Sequence, residues 1–127
     1  MPRKPKAPKN IVLMPLDEIL SPWERIENLV GIPVVLSKIE FRTRIIGKQQ
    51  VTEATFEAWK VTRNPETDGF ETEFLGVFLT RSVVLIEQLR LYKAYVEETG
   101  QYPLAVIQEV KTKNGRRYYS MLSGEVG

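Results

Sequence analysis

The chain has 127 residues, of which 43% are hydrophobic and 27% charged, with a net charge of +2; this is the make-up of one domain that folds around its own core. It contains no cysteine and no histidine. That excludes disulfides, thiolate chemistry and sulfur-ligated zinc, and it removes the commonest general base and metal ligand.

The first ten residues, MPRKPKAPKN, carry Arg3, Lys4, Lys6 and Lys9 without an acid, so the rest of the chain sums to a formal −2 against the total of +2. Residues 1–10 are rich in Pro and Lys and cannot bury apolar surface, which predicts a disordered basic tail. It is either a solubilising tail or an arm that neutralises phosphates. A domain that binds nucleic acid through one broad basic face normally has a positive total. Binding here would instead use local basic rims, the tail and base stacking, which counts against strong duplex binding.

Residues 11–31 read as an N-terminal helical segment. Ser21, Pro22 and Glu24 make a helix start, with a capping side chain, a proline at the first helical position and a capping-box acid. The predicted helix runs from Pro22 to Leu29 and stops at Gly31, with Trp23, Ile26 and Val30 on one side. Asp17, Glu18, Glu24 and Glu27 make its surroundings acidic, and Trp23 is expected to pack rather than meet a ligand. No apolar run reaches the ~20 residues of a membrane span, and no signal-peptide block precedes the helix. A cytoplasmic protein without membrane association is expected.

Residues 32–127 read as one domain. From Val34 the period switches to two, with Val35, Ile39, Phe41 and Ile45 alternating with Lys38, Glu40, Arg42 and Arg44. After Gly47-Lys48 a second strand runs from Val51 to Thr62, the stretch RNPETDG turns, and a third strand runs from Phe70 to Thr80. Ser82 caps a helix from Val83 to Thr99 whose stripe is Leu85, Leu89, Tyr92 and Val96, ending at Gly100. Pro103 to Lys113 and Arg116 to Leu122 then form a hairpin about Asn114-Gly115.

With an even loop, the middle hairpin sets Trp59 opposite Phe74, Arg63 opposite Phe70 and Thr55 opposite Phe78. One face then carries Ala54, Phe56, Ala58, Leu75, Val77 and Leu79, a core face. The other carries Thr55, Glu57, Trp59, Val61 and Arg63 with Phe70, Thr72, Phe74, Gly76 and Phe78. A half-polar aromatic face with a glycine that allows close approach suits base stacking. The alternative is that the N-terminal helix or a partner subunit covers those rings, and a bulge would swap the faces.

Three strands, a helix and two more strands follow the element order of the OB-fold, a partly open five-stranded barrel that binds ligands on its second and third strands. The loops flanking that face would be RTRIIGKQQ and KTKNGRR, both cationic and without an acid. Through FLTRSVVLIEQL and YPLAVIQEVKTKNGRRYYSML, roughly Gly31 to Leu122, the chain resembles OB-fold single-stranded-DNA-binding proteins, especially the divergent ones of phages and mobile elements. The resemblance implies a mainly β fold: a five-stranded OB-type barrel with a helix between strands three and four, plus the N-terminal helix. It further implies sequence-tolerant binding of single-stranded DNA, in replication or repair, without a cofactor or metal. RNA stays open as a ligand, and a homodimer or higher homo-oligomer is allowed for. Carried over by position, the stacking residues are Trp59, Phe74 and Phe78. The backbone contacts are Arg42, Arg44, Lys48, Lys60, Arg63, Lys111, Lys113, Arg116 and Arg117. Bacterial housekeeping members end in a long tail with an acidic tip; here SGEVG follows the last predicted strand, so recruitment through such a tail is not expected.

Pairing about Asn114-Gly115 sets Lys111 opposite Tyr118 and Val110 opposite Tyr119. Tyr118 then shares an exposed face with Lys111, Lys113 and Arg116, and Tyr119 turns to the core beside Val110 and Met121. An enzyme is not expected. Glu71 and Glu73 share a strand face, but Lys60 opposite Glu73 makes an ion pair the simpler account than a metal. Ser37 and Lys38 point to opposite faces, and no Gly-rich phosphate loop is present. The second reading is a protein-interaction or structural OB module that uses the aromatic face as a subunit interface.

Overall fold

The computed structural model describes residues 24–126, together with Lys9 and Ile11. The basic tail other than Lys9, and the helix start at Ser21, Pro22 and Trp23, lie outside the described residues. Strands β1 (Val34–Ile46), β2 (Gln49–Arg63), β3 (Phe70–Thr80), β4 (Ala105–Lys111) and β5 (Arg117–Ser123) form one sheet, and helix α1 (Val83–Thr99) follows β3. The strand order is β3-β2-β1-β4-β5, with every neighbouring pair antiparallel. The fold is mainly β and the sheet is not closed into a barrel, because β3 and β5 remain its two edges.

Two bulges set which side chains face the core. In β1 the register slips between Ser37 and Glu40, and Lys38 takes a left-handed φ of 48°. The slip moves the buried set from even to odd positions, so Val34, Leu36 and Ile39 are buried. Val35, expected with Ile39, instead lies opposite Trp59 on the other face. In β3 the slip falls opposite Ala58 and Trp59, where Leu75 is the extra residue. Trp59 faces Phe74 and Arg63 faces Phe70 as expected, but Ala58 faces Gly76, Phe56 faces Phe78 and Thr55 faces Leu79. Gly76, at φ 136°, supplies a backbone conformation that side-chain-bearing residues rarely adopt.

The core lies between this inner face and α1, and gathers Leu29, Leu36, Ala54, Phe56, Ala58, Phe78, Leu85, Leu89 and Ile107. Helix α1 has the bounds its sequence predicts. The Ser82 side chain accepts a hydrogen bond from the Leu85 N–H at 3.4 Å, and Gly100 at φ 70° closes the helix by donating to the Val96 carbonyl. Tyr92 ties the layers together: its hydroxyl accepts from the Leu36 N–H at 3.1 Å and donates to the Pro103 carbonyl at 2.7 Å. β1 meets β4 at Val34 opposite Ala105, so Tyr92 satisfies the β1 amide just where the two strands part. At the β5 edge the Gln88 amide does the same, accepting from the Met121 N–H at 2.7 Å and donating to its carbonyl at 3.3 Å.

In place of a helix reaching Leu29 from Pro22, the described residues hold a single 3-10 turn, Ile26–Leu29, preceded by Arg25 in an extended conformation. The cause lies in its two anchors. The Glu24 N–H donates to the Val77 carbonyl at 2.8 Å on the β3 edge, and the Gly31 N–H donates to the Ile107 carbonyl at 2.9 Å. So little chain between two strands accommodates one turn, which inserts Ile26 and Leu29 into the core. Among the described residues no helix is long and apolar enough to cross a membrane.

Candidate nucleic-acid interface

Along β2 the residues Glu53, Thr55, Glu57, Trp59, Val61 and Arg63 alternate onto the face away from α1. Cross-strand rows extend this face. Val35, Trp59 and Phe74 form one row, and Arg63 with Phe70 forms another at the β2–β3 turn. The Trp59 and Phe74 rings lie 4.9 Å apart at 57°. The indole N–H of Trp59 donates to Ser37 Oγ at 2.9 Å, which fixes the ring while Phe74 and Phe70 stay 48% and 64% exposed. The Arg63 guanidinium sits 5.9 Å from the centre of the Phe70 ring and pairs with Asp68 at 3.5 Å. Glu57, beside Ser37, is neutralised by Lys38 at 3.3 Å.

Phe78 does not belong to this face. The bulge turns it inward, where it is 2% exposed and stacks on Phe56 at 5.8 Å and 19°. Val77 and Leu79, expected in the core, take its place opposite Glu57 and Thr55. Gly76 does not open the face to a ligand either: a Cβ there would meet Glu24 Cγ at 3.2 Å, so the missing side chain makes room for the protein's own chain. Lys60 alternates with Trp59 and pairs with Val34 and Glu73, which places it on the opposite side of the sheet.

Six residues along β2 from Trp59, about 20 Å at strand rise, the same face ends in a cationic row. Arg42 lies opposite Glu53, and Arg81 extends from the end of β3. Arg42 Nε donates to Glu53 Oε2 at 2.9 Å, Arg81 Nε and Nη2 approach Oε1 at 2.9 and 2.7 Å, and Arg44 Nη1 lies 3.7 Å away. The Glu53 side chain is fully covered while the three arginines stay about half exposed. Three guanidinium groups lie within 4 Å of the carboxylate. Burial alone would raise the Glu53 carboxyl, but the hydrogen bonds and charges of Arg81 and Arg42 hold it below its ordinary value. Lys48 is exposed in the turn between β1 and β2.

The β4–β5 tip carries Lys111, Lys113, Arg116, Arg117 and Tyr118, all exposed, in a register one residue away from that expected. Lys111 faces Arg117, Val110 faces Tyr118 and Glu109 faces Tyr119. The Thr112 N–H donates to the Arg116 carbonyl at 2.8 Å and Gly115, at φ 78°, donates to the Thr112 carbonyl at 3.0 Å, which is a three-residue loop closed by a glycine bulge. Tyr118 therefore shares its face with Val110 and not with Lys111. Tyr119 packs against the core. Arg117 pairs with Glu109 at 3.2 Å.

The face thus brings together Trp59, Phe74, Arg63, Arg42 and Arg44. It leaves Phe78 in the core and Lys60 behind the sheet, and the tip residues ride on the β4–β5 limb. Glu53 and Arg81 were missed. The signal for Glu53 was available, since closing the first hairpin about Gly47-Lys48 sets Arg42 directly across from it. Comparison with known protein families, curated proteins and solved structures returns no match to this chain.

Proposed function

We propose that this chain is an OB-type module that binds single-stranded DNA with little sequence preference. Bases would stack on Trp59 and Phe74, and the backbone would run toward Arg42 and Arg44, with Arg63 at the other end of the face and Lys48 in the turn beyond Arg44. The observation that carries the reading is the Trp59–Phe74 pair, a fixed ring beside a half-exposed one on a sheet face with arginines at both ends. Base stacking on such rings contributes about 1–3 kcal/mol per base and tolerates any sequence. The formal −2 of the chain outside its basic first ten residues disfavours duplex, whose recognition leans on phosphate neutralisation. Titration with an oligothymidylate should quench tryptophan fluorescence saturably, and Trp59→Ala should weaken binding by about 1–3 kcal/mol. Unchanged affinity in both Trp59→Ala and Phe74→Ala would rule this face out.

The second reading, a subunit interface, draws on the exposed Phe70 and Phe74 on an edge strand. It predicts a dimer that Phe74→Asp dissociates. Antiparallel pairing of two β3 edges about Thr72 would set Glu71 against Glu73 of the second copy, a like-charge arrangement that disfavours this contact.

A further inference from the structure

We propose that Arg42, Arg44 and Arg81 form a preassembled receptor for a phosphodiester group and that Glu53 is its positioning residue. This rests on the single-stranded-DNA reading and assigns the phosphate end of that site, including a residue, Arg81, that the resemblance does not supply. The geometry has three parts. Arg42, Glu53 and Arg81 form one row across β1, β2 and the end of β3, with Arg44 beside them. The carboxylate is completely covered, whereas the arginine side chains keep 46%, 49% and 53% of their surface in solvent. The three cations outnumber the carboxylate they surround, and Glu40, opposite Thr55 on the same face of β1, is the acid next to them along the strand.

A structural ion pair does not need this arrangement. The two Glu53 oxygens are already occupied by Arg42 and Arg81 at 2.9 Å and less. Arg44, at 3.7 Å, is the most loosely held of the three and keeps its guanidinium available to a further anion. A guanidinium carries five N–H groups, and Arg81 directs two of them at Oε1, so its remaining edge can present a planar fork to phosphate. Because Glu53 holds the side chains in place beforehand, binding loses less side-chain freedom than it would with mobile lysines. The row lies on the Trp59 face at about 20 Å from the ring, within reach of one strand in a site of roughly 4–16 nucleotides.

The test is an oligothymidylate titration of the wild-type chain, Arg81→Lys and Glu53→Gln at two salt concentrations, with each variant's unfolding midpoint as a check on folding. Arg81→Lys keeps the charge and loses the fork, so affinity should fall by about tenfold with the salt slope unchanged. Glu53→Gln gives the opposite sign to simple charge attraction. It adds one unit of positive charge, yet loss of the positioning carboxylate should weaken binding by about three- to tenfold. Wild-type affinity in Arg81→Lys, or tighter binding by a folded Glu53→Gln, overturns the receptor while leaving stacking on Trp59 intact. A wild-type chain that binds no oligothymidylate overturns the DNA reading and the receptor with it. Inorganic phosphate that binds as tightly as the oligomer would mark a free-anion site and overturn the phosphodiester assignment.

Discussion

Phe74 and Phe78 lie two repeats of the strand pleat apart on β3, and the bulge between them assigns them opposite environments. Truncating each to alanine should therefore give very different losses of stability. Phe78 is 2% exposed and stacks on Phe56. A core Phe→Ala change costs about 3–5 kcal/mol, and a stacked partner adds about 0.5–1.5 kcal/mol beyond area, so Phe78→Ala should cost about 4 kcal/mol. Phe74 is 48% exposed, so its transfer term is about half that of a fully buried ring, near 1 kcal/mol. Loss of the contact with Trp59 raises this to no more than about 2 kcal/mol. Urea unfolding, with the m-value checked for constancy, should separate the two variants by at least about 2 kcal/mol. A Phe74→Ala loss equal to or larger than that of Phe78→Ala would refute the bulge and return Phe78 to the outer face.

The same bulge makes Gly76→Ala costly, by about 1–3 kcal/mol, because alanine is strained at φ 136° and its Cβ would press on Glu24; no change in the unfolding midpoint would contradict the conformation. Tyr92→Phe leaves the Leu36 N–H and the Pro103 carbonyl without their partner, and should lower stability by about 1–3 kcal/mol in the same assay. The acid limb tests Glu53. Its folded value lies below the ordinary 4.5, so its contribution is present above that value and is lost as pH falls through the lower, folded one. Between pH 6 and about 3 the wild-type urea midpoint should fall more steeply than that of Glu53→Gln; parallel curves would show that Glu53 gains nothing from its arginines.

Much of the framework can be read from the sequence because it depends on periodicity and punctuation. The bounds of β3 and α1, the Ser82 cap and the Gly100 stop all follow from local chemistry. The pairing of Trp59 with Phe74 also follows from a regular hairpin, and it holds until Leu75. Bulges were not legible. Lys38 has no propensity for a left-handed φ, and Gly76 is a visible glycine whose purpose depends on Glu24 lying against it. Asn114-Gly115 suggested a two-residue turn, but the Thr112 side chain accepts from the Arg116 N–H at 3.1 Å and helps set a longer loop. The single turn at Ile26–Leu29 depends on its distant anchors on β3 and β4, which no local capping signal encodes. For the site, the aromatic pair was visible in strand alternation, whereas the Glu53 row needed the register of the first hairpin and the position where β3 ends.

The measurement that bears most directly on the account is the affinity of the intact chain for single-stranded oligothymidylate and for duplex of equal length, at two salt concentrations. The account predicts preferential binding of the single strand, weakened by about 1–3 kcal/mol in Trp59→Ala, with log K falling against log salt at about 0.7 per phosphate contact for a few contacts. Equal or tighter binding of duplex, or no single-strand binding at about 50 mM salt, would contradict it.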